Sequence, residues 1–390
     1  MIRIVLYLMI IISIVLISCL LKNKSVLITL ICSILIISFA LNPSISIAGT
    51  IEGANLFFYK VFPSLFPFLA ISNIMLYCNG VFIYSKLFGK LLCIPLRLPV
   101  QCSFVVIIST LCGYPLGAKY ACELYEKKII DFNTCKRLLN IASNASPLFI
   151  IGSVGVSMFK SLRMGYILLI ANYLSCFIMS LLIKPDDNKI STKFTLNNMY
   201  DLNLGSALRA SIEDSIKTTS SVGGFIILFS VINNIIKNSI IFDAIIKNIS
   251  ILFNIPLKVI QGFLLGLIEM TNGCNILSTT NINPAIKLSI ASFLIGFSGL
   301  CILWQCNSFM SKFNFSLIRY SKYKLIQGTI SSVICFLTYN IFYTTSPIFN
   351  NSYYTISTIN LYMYIFLIII LPVVIYKIII KLKKLLFHTS

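Results

Sequence analysis

Glu269 closes a ten-residue apolar run, Val259 to Ile268, and opens the string Glu269-Met270-Thr271-Asn272-Gly273. A carboxylate in that position can bind a solute or accept a proton, with Thr271 and Asn272 as neighbouring hydrogen-bonding groups and Gly273 as a helix breaker. A fourteen-residue run, Leu98 to Leu111, ends in the same way at Gly113-Tyr114-Pro115. Beyond each breaker lies a polar patch: Asn144 and Ser146 before Pro147, and Asn281 before Pro284. Amides and hydroxyls there suit a neutral polar solute, and they suit equally well the capping of the next helix. Glu52 with Glu213, and Asn73 with Asn234, are candidate gate residues because each pair recurs at one constant spacing. For the glutamates, first-turn stabilisation through the helix dipole is the competing reading.

Other chemistry is excluded by inventory. The chain has one histidine, His388, so histidine catalysis, a Ser-His-Asp triad and histidine metal clusters are absent. Thirteen cysteines form no C-x-x-C pair and mostly sit inside apolar runs, where they act as small hydrophobes; neither a disulfide framework nor a zinc site is expected. No nucleophile-base pair or cofactor motif appears, so the expectation is a non-enzyme with no cofactor and no metal.

The elements that position these residues belong in a bilayer. Hydrophobic residues make up 58% of the chain and charged ones 11%, against roughly 25% charged in a soluble domain, and the mean hydropathy is +0.93. Runs able to span are Ile2 to Leu21, Ser25 to Leu41, Val61 to Tyr77, Met164 to Ile183, Val222 to Ile236, Ile286 to Leu303, Leu325 to Phe342 and Leu361 to Ile380. The runs ending at the breakers are too short: about 21 Å and about 15 Å of helix against a hydrocarbon core near 30 Å. Helices interrupted at that depth must turn their free backbone groups to protein or to a watery cavity. Short, Gly/Pro-broken segments at matching places in two halves point to a transporter site near the midplane. There a carboxylate costs on the order of 3 kcal/mol unless paired or hydrated.

The net charge of +20 is spread in ones and twos at the ends of apolar runs, which reads as topology and not as a nucleic-acid surface. Lys377, Lys381, Lys383 and Lys384 place the C-terminus in the cytoplasm, the uncharged stretch Thr344 to Thr358 outside, and Lys312, Arg319, Lys322 and Lys324 inside. Leu16-Ile17-Ser18-Cys19 has the look of a lipoprotein processing site, yet the apolar chain beyond it favours a first transmembrane helix.

The segment Ile51 to Leu96 recurs 161 residues later, pairing Glu52 with Glu213, Asn73 with Asn234 and Ile94-Pro95-Leu96-Arg97 with Ile255-Pro256-Leu257-Lys258. At an offset of 160, Gln101 pairs with Gln261 and Gly113 with Gly273, which sets Ser109 opposite Glu269. Two duplicated halves follow. Residues 1–46 form two N-terminal helices, 47–183 the first repeat, 184–204 a polar linker, 205–342 the second repeat, and 343–390 an external loop, a last helix and a basic tail. The first repeat carries an insertion near 119–139 whose many charges predict a soluble cytoplasmic hairpin protruding from the membrane. The fold class is an all-α polytopic membrane protein of two gate-like halves with broken or re-entrant helices. The halves are inverted if one broken segment re-enters, since inversion needs an odd number of crossings between equivalent points.

Four strings carry a family resemblance: Val61-Phe62-Pro63-Ser64-Leu65-Phe66-Pro67-Phe68, Gly113-Tyr114-Pro115-Leu116-Gly117-Ala118-Lys119, Ser143-Asn144-Ala145-Ser146-Pro147-Leu148-Phe149 and Gly266-Leu267-Ile268-Glu269-Met270-Thr271-Asn272-Gly273. Together, in this order, they resemble the sporulation integral membrane protein YlbJ family. The resemblance implies the nucleoside recognition (gate) domain group and a role in spore cortex formation. Ser146-Pro147 departs from the family's usual Asn-Pro, which weakens a direct ligand role for Ser146.

The functional expectation is a bacterial multi-pass membrane protein, in the mother-cell or forespore membrane, that moves a small polar, nucleoside-like solute. Its partners are then the lipid bilayer and that solute, with no nucleic acid. The rival is a scaffold that recruits cortex-assembly proteins through the charged hairpin without transporting anything.

Overall fold

The computed structural model describes residues 24–184 and 204–344, and the described residues form helices and connecting turns without a strand. The first helix expected, with its Cys19 motif, most of the polar linker, the external loop, the last helix with its basic tail, and His388 lie outside the described residues.

Half one begins with α1 (Lys24–Leu41) and α2 (Pro43–Leu56), which meet at 104°, Pro43 occupying the first turn of α2. A π-turn, Phe57–Val61, leads into α3 (Phe62–Tyr77). Next come α4 (Gly80–Leu87), turned 89° from α3, and the short α5 (Gly89–Cys93), α6 (Ser103–Cys112), α7 (Leu116–Glu126) and α8 (Phe132–Ile141). A π-helix, Leu148–Met158, and α9 (Leu162–Leu182) complete the half.

Half two consists of α10 (Leu204–Lys237), α11 (Ile240–Phe253), α12 (Leu257–Ile268), α13 (Met270–Ser278), α14 (Pro284–Phe297), α15 (Gly299–Met310) and α16 (Leu317–Thr344). Four stretches are long and apolar enough to cross a membrane, Leu162–Leu182, Leu204–Lys237, Pro284–Phe313 and Leu317–Phe342. The bent pairs α1–α2 and α3–α4 raise the number to six if each is one span. The chain is an all-helical, polytopic membrane protein.

Two rods that match at the 161-residue offset pack against each other. A Cβ on Gly49 would lie 3.2 Å from Asn234 Cβ, Gly53 faces Ile227 and Ser230, Gly223 faces the Phe57 ring, and Asn73 reaches Ser211 and Ser215. Partner numbers fall as residue numbers rise, so α2–α3 runs antiparallel to α10. At the 161-residue offset Gly49 matches Ala210 and Asn73 matches Asn234. The Gly49–Asn234 contact thus lies within one residue of the place that a twofold axis perpendicular to the rods would give to the Asn73–Ser211 contact. Small residues let the backbones approach this closely, as helices in membranes favour.

Three expectations change. The charged hairpin exists as α7 and α8, but it does not protrude: Lys119, Tyr120, Leu124, Cys135, Arg137, Leu138 and Leu139 are all buried. Its charges alternate with small and apolar residues, so each helix turns a packing face inward and uses Lys119 and Arg137 to meet buried acceptors. Secondly, Gly117 packs on Ser109 of α6 and Gly273 on Gly266 of α12, which aligns α7 with α13 and sets Gly113, not Ser109, opposite Glu269. Gly273 lies inside α13 and does not break it. Thirdly, the expected span Ile286 to Leu303 is interrupted at Ser298 (φ 74°) and Gly299 (φ 72°), both left-handed.

Candidate functional site

The half-one interruption is a three-residue turn. Gly113 takes φ 76°, and a Cβ there would fall 2.4 Å from Ser146 N, so the turn is pressed against the Ala145-Ser146 backbone. Tyr114 precedes a cis peptide to Pro115, and α7 starts at Leu116.

The half-two interruption is Glu269 itself. Its backbone is extended, and its carboxylate caps α13: Oε1 accepts from Thr271 N at 3.0 Å and Oε2 from Asn272 N at 2.8 Å. Glu269 is buried, and among the described residues no lysine or arginine pairs with it. Gly299 lies against this break, its Cβ position 3.2 Å from Gly266 O, Ile268 O and Met270 N. Broken helices thus meet broken helices inside the bundle, where free backbone groups find partners.

Both interruptions open on one cavity of about 130 Å³. Cys112, Tyr114 and Ser146 line it from half one, and Glu269, Thr271 and Gln305 from half two, among an apolar majority that includes Leu65, Phe68 and Ile226. Ser146 Oγ also accepts from Phe149 N at 3.3 Å, so it caps the π-helix as well as facing the cavity. A mostly apolar chamber with a few convergent polar groups is what a small-molecule site looks like.

Sequence reasoning missed Lys324, which was assigned to a cytoplasmic face. It is wholly buried on α16 and gives its three N–H bonds to neutral oxygens: Tyr114 Oη at 2.7 Å, Ser143 O at 2.8 Å and Gln327 Oε1 at 2.7 Å. Lys324 therefore stands directly behind Tyr114, a cavity wall residue, and no acid among the described residues pairs with it.

The remaining candidates divide. Asn73 joins a closed network between the halves: Lys119 Nζ donates to Asn73 Oδ1 at 3.0 Å and reaches Asp214 at 2.8 Å and Glu123 at 3.0 Å, while Tyr120 Oη donates to Asn73 Oδ1 at 2.8 Å. Neither Lys119 nor Asp214 was singled out from the sequence. Glu213 lines neither cavity; it is exposed and pairs with Arg209 one turn away at 2.8 Å. Glu52, Asn234 and Asn272 line a second, polar pocket of about 60 Å³ on the other side of the α13 N-terminus. Asn144 is buried with its Oδ1 unpartnered but is not a lining residue of the main cavity. Asn281 is exposed and lines neither pocket. The capping role near Pro284 falls to Asn283, which accepts from Ala285 N at 2.9 Å.

No protein-family model and no solved structure matches the chain. Among curated proteins it is similar to "Sporulation integral membrane protein YlbJ" of Bacillus subtilis (strain 168), with 27% identity over 325 residues that cover 78% of this chain and 80% of the relative. A match running through most of both chains, on a polytopic helical fold, supports membership of the YlbJ family of integral membrane proteins.

Proposed function

We propose that the chain is a transporter-like protein of sporulation that binds a small polar solute between its two halves and passes it across the membrane. The observation that carries this reading is the shared cavity: the helix breaks of both halves line it, and Glu269, the one carboxylate on its wall among the described residues, has no basic partner among them. A group that costs on the order of 3 kcal/mol at bilayer depth is more than a helix cap needs, which supports a functional role for Glu269.

The packing of α2–α3 against α10 supports inverted halves. With α10 crossing the bilayer, a twofold axis perpendicular to it lies in the membrane plane, the symmetry by which one half can rock against the other. The gate-domain likeness and the cortex role belong to this proposal too, as does the absence of catalysis. A cavity of about 130 Å³ is comparable to the roughly 150 Å³ that holds a benzene ring, so a nucleoside-sized solute requires it to widen.

Complementation tests the reading. In a spore-forming host lacking its YlbJ-family protein, Glu269→Gln at matched protein level should abolish cortex, while a variant with Lys127, Lys128 and Lys136 neutralised should restore it. The reverse result supports the scaffold. Arg137 is left intact, because it donates to Leu96 O and Ser180 O at 2.7 and 2.6 Å and holds α8 in the bundle.

A further inference from the structure

The second pocket, lined by Glu52, Asn233, Asn234, Asn272 and Asn275, is the half-two counterpart of the Lys119 network in half one. Asn234 matches Asn73 at the 161-residue offset, and Glu52 precedes Gly53, the match of Asp214. Gly117 and Gly273 hold equivalent places against the preceding helix, so Lys119 and Asn275, each two residues further on, are equivalent as well.

In half one the position beside the asparagine is filled by the chain's own ammonium: Lys119 Nζ touches Asn73 Oδ1, Asp214 and Glu123. In half two no such group enters. Among the described residues the pocket of about 60 Å³ keeps an acid, Glu52, outside any ion pair within 4 Å, and carboxamides where the lysine would be. Asn233 is 3% exposed and its Oδ1 has no hydrogen-bond partner; Ser230 Oγ on the same wall has none either. Buried acceptors without donors call for a water or an ion. Carboxylate, carboxamide and hydroxyl oxygens are the donor set that hard cations prefer.

We propose that this pocket binds a monovalent cation in the place that Lys119 Nζ occupies in the other half. Lys237, the one basic residue on its wall among the described residues, is exposed, as are Glu52 and Asn275, so water screens both charges and the buried Asn233 and Ser230 form the inner end of the pocket. The pocket and the solute cavity share α13: Asn272 faces the first, while Thr271 and the cap Glu269 face the second. An ion bound here would fix the helix end that forms the cavity wall.

The test is thermal unfolding of the purified, detergent-solubilised full chain in NaCl, KCl, NH₄Cl or N-methylglucamine chloride at equal ionic strength. A ligand that binds only the folded state raises the midpoint in a saturating way. At least one small cation should do so relative to N-methylglucamine, and Asn275→Lys, which restores a tethered ammonium, should make the midpoint independent of the salt. Asn233→Leu, which removes the orphan acceptor, should weaken the response. Identical midpoints in all four salts, or an undiminished response in Asn275→Lys, overturn the proposal; neither outcome bears on solute transport through the larger cavity.

Discussion

Lys324 Nζ lies 2.7 Å from the hydroxyl of Tyr114, so a fully buried ammonium on α16 fixes the aromatic ring at the half-one helix break. Tyr114→Phe removes one of the three oxygens that solvate this ammonium. An unmade bond to a buried donor costs about 1–3 kcal/mol, so the variant should unfold at lower temperature in detergent, and Tyr114→Phe combined with Lys324→Met should lose less than the two single changes added together. Strict additivity would show that the two side chains are not coupled.

Glu269 serves the fold as well as the cavity, and two substitutions separate the roles. Glu269→Gln keeps one acceptor for the α13 N-terminus and removes the charge; Glu269→Ala removes the cap altogether. Losing a cap costs about 1 kcal/mol, so Ala should be the less stable protein while both variants are equally inactive in complementation. Activity retained by Gln would show that the charge is dispensable.

Glycines at the breaks are predicted to be intolerant of a methyl group. In Gly113→Ala the new Cβ meets Ser146 N at 2.4 Å, and the backbone at φ 76°, ψ −157°, a region that essentially only glycine adopts, alone costs on the order of 1–3 kcal/mol. Expression and detergent melting should show a severe loss. Gly224, with nothing within 4 Å of its Cβ position inside α10, is the control: Gly224→Ala should be neutral or stabilising by up to about 1 kcal/mol.

The two ion pairs at the α10 N-terminal half should differ in weight. Lys119 is 4% exposed and bridges three elements, so Lys119→Met takes the cation from Asp214 and Glu123 and should cost roughly 1–3 kcal/mol, below the 3–5 typical of a buried pair because Asp214 is 42% exposed. The Arg209–Glu213 pair, 83% and 64% exposed, should change stability by no more than about 0.5 kcal/mol when Arg209 is replaced by Ala. Melting of the two variants side by side checks the order.

The sequence announced the chemistry that depends on punctuation. Glu269 at the end of a short apolar run, Gly113-Tyr114-Pro115 at the end of another, and one offset shared by Asn73 and Asn234 placed the breaks, and the structure brings both breaks to one cavity. Burial of charge was not legible. In sequence Lys324 reads as a cytoplasmic charge and Lys119 and Arg137 as parts of a soluble hairpin, because a basic residue reads the same whether it reaches water or donates to buried oxygens. The alignment of Gly113 with Gly273 failed for a related reason: identity of residue type favoured it, whereas packing equates Gly117 with Gly273.

Solute release tests the central claim most directly. Liposomes containing the purified protein and loaded with the small-molecule extract of a sporulating culture are compared with liposomes carrying Glu269→Gln, the released solutes being identified by mass spectrometry. Passage through the shared cavity predicts that at least one polar solute leaves the wild-type vesicles and is retained by the variant. Release profiles that match protein-free vesicles, or that are the same for both proteins, would contradict it.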